Sequence, residues 1–201
     1  MREDGKLRAA LDEAAAYLPC ELMLRLEAEF ARLTAIAGLD PLTGLANRGG
    51  WMDALDEAQE RLDRHHEPVG VIVLDLDGLK TMNDTKGHDA GDASIVTAAR
   101  VIRSTVRHLD VVARVGGDEF AVLMPRAGWD AVHKLAERLQ DALDAAGAPA
   151  SIGCATSAVS DPAYRRVNEV VSAADALMYL DKERRRAARN MMNRDAGSGD
   201  Q

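Results

Sequence analysis

Apolar positions along the chain follow two different periods. Leu22, Leu26, Phe30 and Leu33 return every three or four residues, the spacing of one helix face. Upstream, Leu11 and Leu18 stand one heptad apart, but the next such position holds Arg25, so no coiled-coil seam is established there. Residues 5–37 are therefore expected to be helical with an interruption at Pro19. A turn-rich stretch, "DPLTGLANRGG" (40–50), follows, and Asn47 is placed to cap a helix carrying Trp51, Leu55 and Leu62. "VGVIVLDLD" (69–77) is instead a continuous apolar run, the mark of a buried strand, and it ends in acids. Residues 78–92 form a polar, glycine-punctuated segment, with a helix expected from about 92 to 107. Two β-type runs at 110–124 flank Gly116-Gly117 and predict a tight hairpin, since glycine tolerates the positive φ that such turns demand. A helix is expected at 129–146, where Leu135, Leu139 and Leu143 share a face, then a strand at 150–156 and a helix at 166–189. A disordered tail is expected at 191–201. The core order is helix, strand, helix, hairpin, helix, strand, helix, which predicts an α+β fold with one central sheet, partly antiparallel, and helices packed on it.

Composition narrows the class. With 201 residues the chain can bury one good core, and 47% hydrophobic with 29% charged residues is ordinary for a globular protein. A net charge of −8 disfavours a nucleic-acid partner, which would need a basic surface. The basic run "KERRRAAR" (182–189) reads alone as a solvated helix face. Cys20 and Cys154 are too far apart in sequence to suggest a disulfide framework or a zinc site and suit a reducing compartment. No apolar run approaches the roughly 20 residues of a membrane span, and the N-terminus lacks a signal-peptide pattern, so a cytoplasmic location is expected.

Candidate chemistry sits where the acids are. Asp75 and Asp77 end the buried strand, and Asp118 and Glu119 mark the hairpin tip. If these elements are sheet neighbours, hard oxygen ligands converge at one edge, the kind of site that takes Mg²⁺ together with substrate phosphates. Asp75 and Asp77 lie on the same face of a regular strand, so periodicity does not choose between them. Between these elements, Asn83 offers a donor and an acceptor. Asp92 can accept both the N1–H and the amine of guanine, a donor pair that adenine lacks. Lys80, Lys182 and Arg186 offer charge to phosphates, although each alone is more simply a surface residue.

Six stretches taken together resemble one family. "GGDEF" (116–120) is the signature of the GGDEF diguanylate cyclases. "DPLTGLANR" (40–48), "DLDGLKTMND" (75–84), "GHDAGD" (87–92), "SIGCA" (151–155) and "ADALMYLDK" (174–182) resemble its other motifs, in its order. The resemblance implies a mostly antiparallel sheet flanked by helices, akin to the palm of nucleotide polymerases, over residues 40–190. Residues 1–39 would be an N-terminal helical extension and possible dimerising stalk. It implies condensation of two GTP into cyclic di-GMP with Mg²⁺ or Mn²⁺. By position, Asp75, the Leu76 carbonyl, Asp118 and Glu119 match the metal ligands, Asp118 being also assignable as the base for the 3′-hydroxyl. Lys80 matches a residue stabilising phosphate charge. Asn83 and Asp92 match guanine-reading positions, His88 a substrate contact, and Lys182 and Arg186 phosphate contacts, while Gly116 and Gly117 leave room for a phosphate. One domain holds one GTP, so a homodimer is expected. "RHLD" (107–110) matches an R-x-x-D product-inhibition site through Arg107 and Asp110, with Arg138 a further member.

Departures from the pattern are Leu79 for Phe, Gly49-Gly50-Trp51 after "NR", Asp181 for Ala, and Arg185 for the Gly before Arg186; the last puts Arg186 most in question. None removes a metal-binding or base-reading residue, and an active enzyme is expected. The rivals are a catalytically silent domain acting as a cyclic di-GMP receptor, a cyclase making a mixed guanine–adenine dinucleotide, which Asp92 disfavours, and a purely dimerising regulator. Because 39 residues are few for a sensory module, the activating signal is expected from an unidentified regulatory partner or from concentration.

Overall fold

The computed structural model describes residues 20–36, 38–158 and 166–197. Within them the elements run α1 (Cys20–Ile36), α2 (Arg48–His65), β1 (Val69–Leu76), α3 (Leu79–Lys86), α4 (His88–Thr105), β2 (Val111–Arg114), β3 (Glu119–Pro125), α5 (Trp129–Ala145), β4 (Ala150–Thr156) and α6 (Val167–Gly197). The four strands form one sheet in the order β2-β3-β1-β4, and every neighbouring pair is antiparallel. The expected α+β architecture is present, with a sheet that is antiparallel throughout.

β1 is central, and all eight of its residues are buried, which explains its unbroken apolar run. Alternate side chains serve opposite faces. Ile72, Leu74, Phe120, Val122 and Met124 pack with Ile95, Ala98 and Ile102 of α4 and Val132, Leu135, Leu139 and Leu143 of α5. Val71, Val73, Ala121 and Leu123 pack on the other side with Trp51 and Leu55 of α2 and Val170, Ala174 and Met178 of α6. α6 comes so close to β4 that a Cβ on Gly153 would collide with the backbone of Ala174 and Met178.

The structure corrects three expectations. The polar segment 78–92 consists largely of helix, being α3 and the first turn and more of α4. Its glycines punctuate that helix pair, because Gly78 (φ 78) and Gly87 (φ 86) cap the two ends of α3 in conformations that L-residues resist. The hairpin forms as expected, yet neither Gly116 nor Gly117 is among the residues of positive φ, so the reason given for them fails. Gly116 is crowded instead, since a Cβ there would displace the Glu119 carboxylate, whereas one on Gly117 would meet open space. Finally, α6 continues to Gly197, so residues 191–197 of the expected disordered tail are helical.

Asn47 caps α2 as expected, accepting from the Gly50 N–H at 3.0 Å. In α1, Leu22, Leu26 and Leu33 remain exposed. Leu11, Leu18 and the interruption at Pro19 lie outside the described residues.

Candidate active site

Strand register creates the site. In the β1–β3 pair Asp75 stands opposite Glu119, and the Leu76 N–H donates to the Asp118 carbonyl at 3.0 Å. The end of the central strand and the hairpin tip are thus direct neighbours, and Asp75, Leu76, Asp118 and Glu119 meet at one edge. A second set of bonds holds the tip from below. The Arg114 guanidinium donates to the Gly117 carbonyl at 2.7 Å and pairs with Asp40 at 3.3 Å, both side chains being about five-sixths buried. Asp40 in turn accepts from the Thr43 N–H and hydroxyl at 2.8 and 2.6 Å. Asp40 and Arg114 are therefore positioning residues that sequence reasoning passed over. The signal was a buried charge pair 74 positions apart in sequence, which no local pattern carries.

The structure separates Asp75 from Asp77. The Asp77 carboxylate accepts from the Ser151 hydroxyl at 2.9 Å and lies 3.7 Å from the Arg185 guanidinium. Asp75 receives the Lys182 ammonium on Oδ2 at 2.7 Å, but its Oδ1 is buried with no hydrogen-bond partner. A buried carboxylate oxygen left bare is costly and fits a cation ligand. Burial, with Asp118 and Asp77 nearby, pushes the Asp75 carboxyl above its ordinary value in spite of Lys182. Burial works against the charged ammonium of Lys182, but its bond to Asp75 and the surrounding acids outweigh it and raise Lys182. Among the described residues no three acids, histidines or cysteines form a complete metal cage. A hard cation here would complete its shell from carbonyl, water or phosphate oxygens, which suits Mg²⁺.

A cavity of about 760 Å³ opens beside these acids, lined by Asp75, Glu119, Asp175, Tyr179, Lys182 and Arg186 among others. Arg186 thus faces the acids, while Arg185 turns away to Asp77. Across the site, Lys80, Asn83, His88 and Asp92 sit on the α3–α4 pair that follows β1. Lys80, His88 and Asp92 are exposed. The Asn83 Oδ1 is buried without a partner and faces Gly91, where a Cβ would collide with it.

The R-x-x-D residues gather elsewhere, at the end of α4. The Asp110 carboxylate accepts the Arg107 N–H at 2.9 Å, and Arg138 of α5 donates to the Thr105 carbonyl at 2.9 Å. Arg103, not singled out from the sequence, donates to the carbonyls of Arg107 and Asp110 at 3.1 and 3.0 Å. Asp110 is buried and closes the loop, whereas the Arg107 side chain projects into solvent.

An α+β domain with acids gathered at the end of its central strand is the class that fold and site define. The family model "Diguanylate cyclase, GGDEF domain" matches residues 37–188, and the chain belongs to that family. It is 36% identical to diguanylate cyclase DgcP of Pseudomonas aeruginosa over 148 residues, 71% of this chain and 22% of that protein. It is 34% identical to the cyclic di-GMP phosphodiesterase PdeR of Escherichia coli over 160 residues, 76% of this chain and 23% of that protein. The chain thus spans less than a quarter of the length of either relative. The crystal structure of the coiled coil and GGDEF domain of DgcB from Caulobacter crescentus in complex with c-di-GMP has a TM-score of 0.65 at 29% identity. It covers 88% of this chain and 94% of that one.

Proposed function

We propose that the chain is a diguanylate cyclase that joins two GTP into cyclic di-GMP and releases two pyrophosphates. The observation that carries this reading is the bare, buried Asp75 oxygen beside Asp118 and Glu119, in a cavity also lined by Lys182 and Arg186. Asp75, the Leu76 carbonyl, Asp118 and Glu119 would hold Mg²⁺ or Mn²⁺, which when bound neutralises phosphate charge and makes a hydroxyl easier to deprotonate. Asn83 and Asp92 read the guanine edge, and His88 contacts the substrate. Lys182 and Arg186 bind the phosphates, and Lys80 offsets charge that builds on the phosphorus. Asp118 takes the proton of the attacking 3′-hydroxyl. The new bond joins that oxygen to the α-phosphorus of the other GTP, and the bond to pyrophosphate breaks. The open face of Gly117 leaves room for phosphate oxygens.

Each linkage takes its hydroxyl from one domain and its α-phosphate from another, so the active form is a homodimer. The exposed leucines of α1 are its natural contact. Arg107, Asp110 and Arg138 form the site at which the product restrains its own synthesis. Incubating purified protein with GTP and Mg²⁺, with ATP in parallel, and resolving the products by chromatography and mass tests the reading. Cyclic di-GMP from GTP alone supports it. A second reading, a silent domain that only binds cyclic di-GMP, draws on the similarity to a relative named as a phosphodiesterase. Binding of cyclic di-GMP without turnover of GTP at any protein concentration would establish it instead.

A further inference from the structure

Four side chains midway along α6 divide between two tasks. Lys182 and Arg186 line the cavity, while Asp181 and Arg185 turn toward the sheet. Asp181 Oδ2 accepts from the Ile152 N–H of β4 at 3.2 Å and from Arg185 Nε at 3.0 Å. The other side of the same guanidinium lies 3.7 Å from Asp77 Oδ2 and 3.9 Å from Asp144 Oδ1 at the end of α5. Asp77 is itself pinned, by the Ser151 hydroxyl at 2.9 Å and through its own N–H to the Pro149 carbonyl at 2.8 Å. One arginine therefore ties the ends of β1, β4 and α5 to α6.

These contacts are not equal. The Asp77 side chain is only 3% exposed, so its attraction to Arg185 is little screened, whereas Asp144 is 47% exposed and adds little. The tie lies within one helical turn of Lys182, whose ammonium spans 2.7 Å to Asp75. We propose that Arg185 is a positioning residue: by gripping Asp77 and Asp181 it sets the register and depth of α6 so that Lys182 stays at Asp75, poised over the phosphate side of the cavity. It also keeps Asp77 committed to Ser151 and the guanidinium, so that Asp75 alone of the two acids presents a bare oxygen to the site. The inference rests on the reading of this cavity as a GTP site.

The test is a double-mutant cycle in binding rather than turnover. The probe is 3′-deoxy-GTP with Mg²⁺, which lacks the attacking hydroxyl, and affinity is measured by titration calorimetry. Arg185→Ala is expected to weaken binding about tenfold in the wild-type background and less than about twofold when Lys182 is already alanine, the non-additivity of two groups acting as one. An equal loss in both backgrounds marks a merely structural tie and overturns the inference, as does no loss from Arg185→Ala or from Lys182→Ala. Arg185→Gln keeps the stem and its packing and is read the same way should the alanine variant fail to show a native circular-dichroism spectrum. Wild-type protein that binds no 3′-deoxy-GTP overturns the cyclase reading and this inference together; wild-type binding with an additive cycle overturns this inference alone.

Discussion

Asp75 and Asp118 lie at the same sheet edge but answer to different forces, and their substitutions should differ accordingly. Asp118→Asn keeps shape and removes the charge proposed to take the hydroxyl proton. We expect product formation to fall by about 10²–10⁴-fold, the usual share of a general base, with the thermal midpoint within a few degrees of wild type. Full turnover in that variant removes Asp118 from the mechanism. Asp75 is buried, and its proton affinity is raised by burial first and by Asp118 and Asp77 second. A carboxyl whose folded value lies above its unfolded one contributes stability that is fully present below the unfolded value. That contribution is lost as pH rises through the folded value, so at neutral pH the charge works against folding. Asp75→Asn should therefore abolish synthesis while leaving the midpoint of the metal-free protein unchanged or up to about 4 °C higher. A clear drop in the midpoint would mean that the Lys182 pair outweighs the cost of burial. The two acids also mark how far single residues were legible. Periodicity left Asp75 and Asp77 equivalent, since a regular strand through both would put them on one face, and the family resemblance favoured Asp75; in the structure β1 ends at Leu76. What separates them is a serine at 151 and an arginine at 185, whose nearness is tertiary and invisible along the chain. The hairpin acids drew notice because two carboxylates side by side repel each other, but acids at strand ends are commonly solvated, and the role expected of them came from the family resemblance.

Elements were legible where burial imposed a period and obscure where it did not. β1 and α5 stood out because one is buried on both sides and the other presents a leucine stripe to the sheet. α3 was missed because only Leu79 of its eight residues is buried, and the glycines that cap it look from the sequence like loop. The loop between α4 and β2 was legible as a motif but not as an architecture: Asp110 is consumed in closing it, and Arg103 holds its carbonyls. This divides the labour for a test. Arg107→Ala removes an exposed guanidinium and should raise the final yield of cyclic di-GMP by relieving inhibition. Arg103→Ala should have a similar effect by loosening the loop that presents Arg107. A product-inhibition curve unchanged in both variants removes this site from the account. On β4, burial raises the Cys154 thiol above its ordinary value and keeps it protonated at neutral pH. In a Cys20→Ser background a thiol reagent at pH 7.5 should therefore modify Cys154 at least about tenfold more slowly in folded than in unfolded protein. Equal rates would place this thiol in a far more open setting than the inner part of β4.

At the scale of the whole molecule, the proposed reaction asks for more than one copy. It would cross the hydroxyls and α-phosphates of two GTP, and the cavity beside Asp75 is lined by residues of one domain. Nothing within the described domain covers the leucines of α1, and no helix among the described residues is long and apolar enough to cross a membrane. An exposed apolar stripe on a helix of 17 residues is short for a self-sufficient coiled coil, so the association it supports should be weak and set by concentration. Under the proposed function, cyclic di-GMP formation per protein should then rise with protein concentration before reaching a plateau, and sedimentation should show monomer and dimer exchanging over the same range. Leu26→Glu with Leu33→Glu places like charges on the stripe and should move both transitions at least about tenfold higher in concentration, while leaving the plateau within reach. The paired readout decides between two ways of failing. Sedimentation shifted with activity unmoved would mean that α1 holds a dimer the reaction does not use, and that the domains meet through another face. Neither moving would leave the α1 stripe to a different partner and remove it from the account of the proposed dimer.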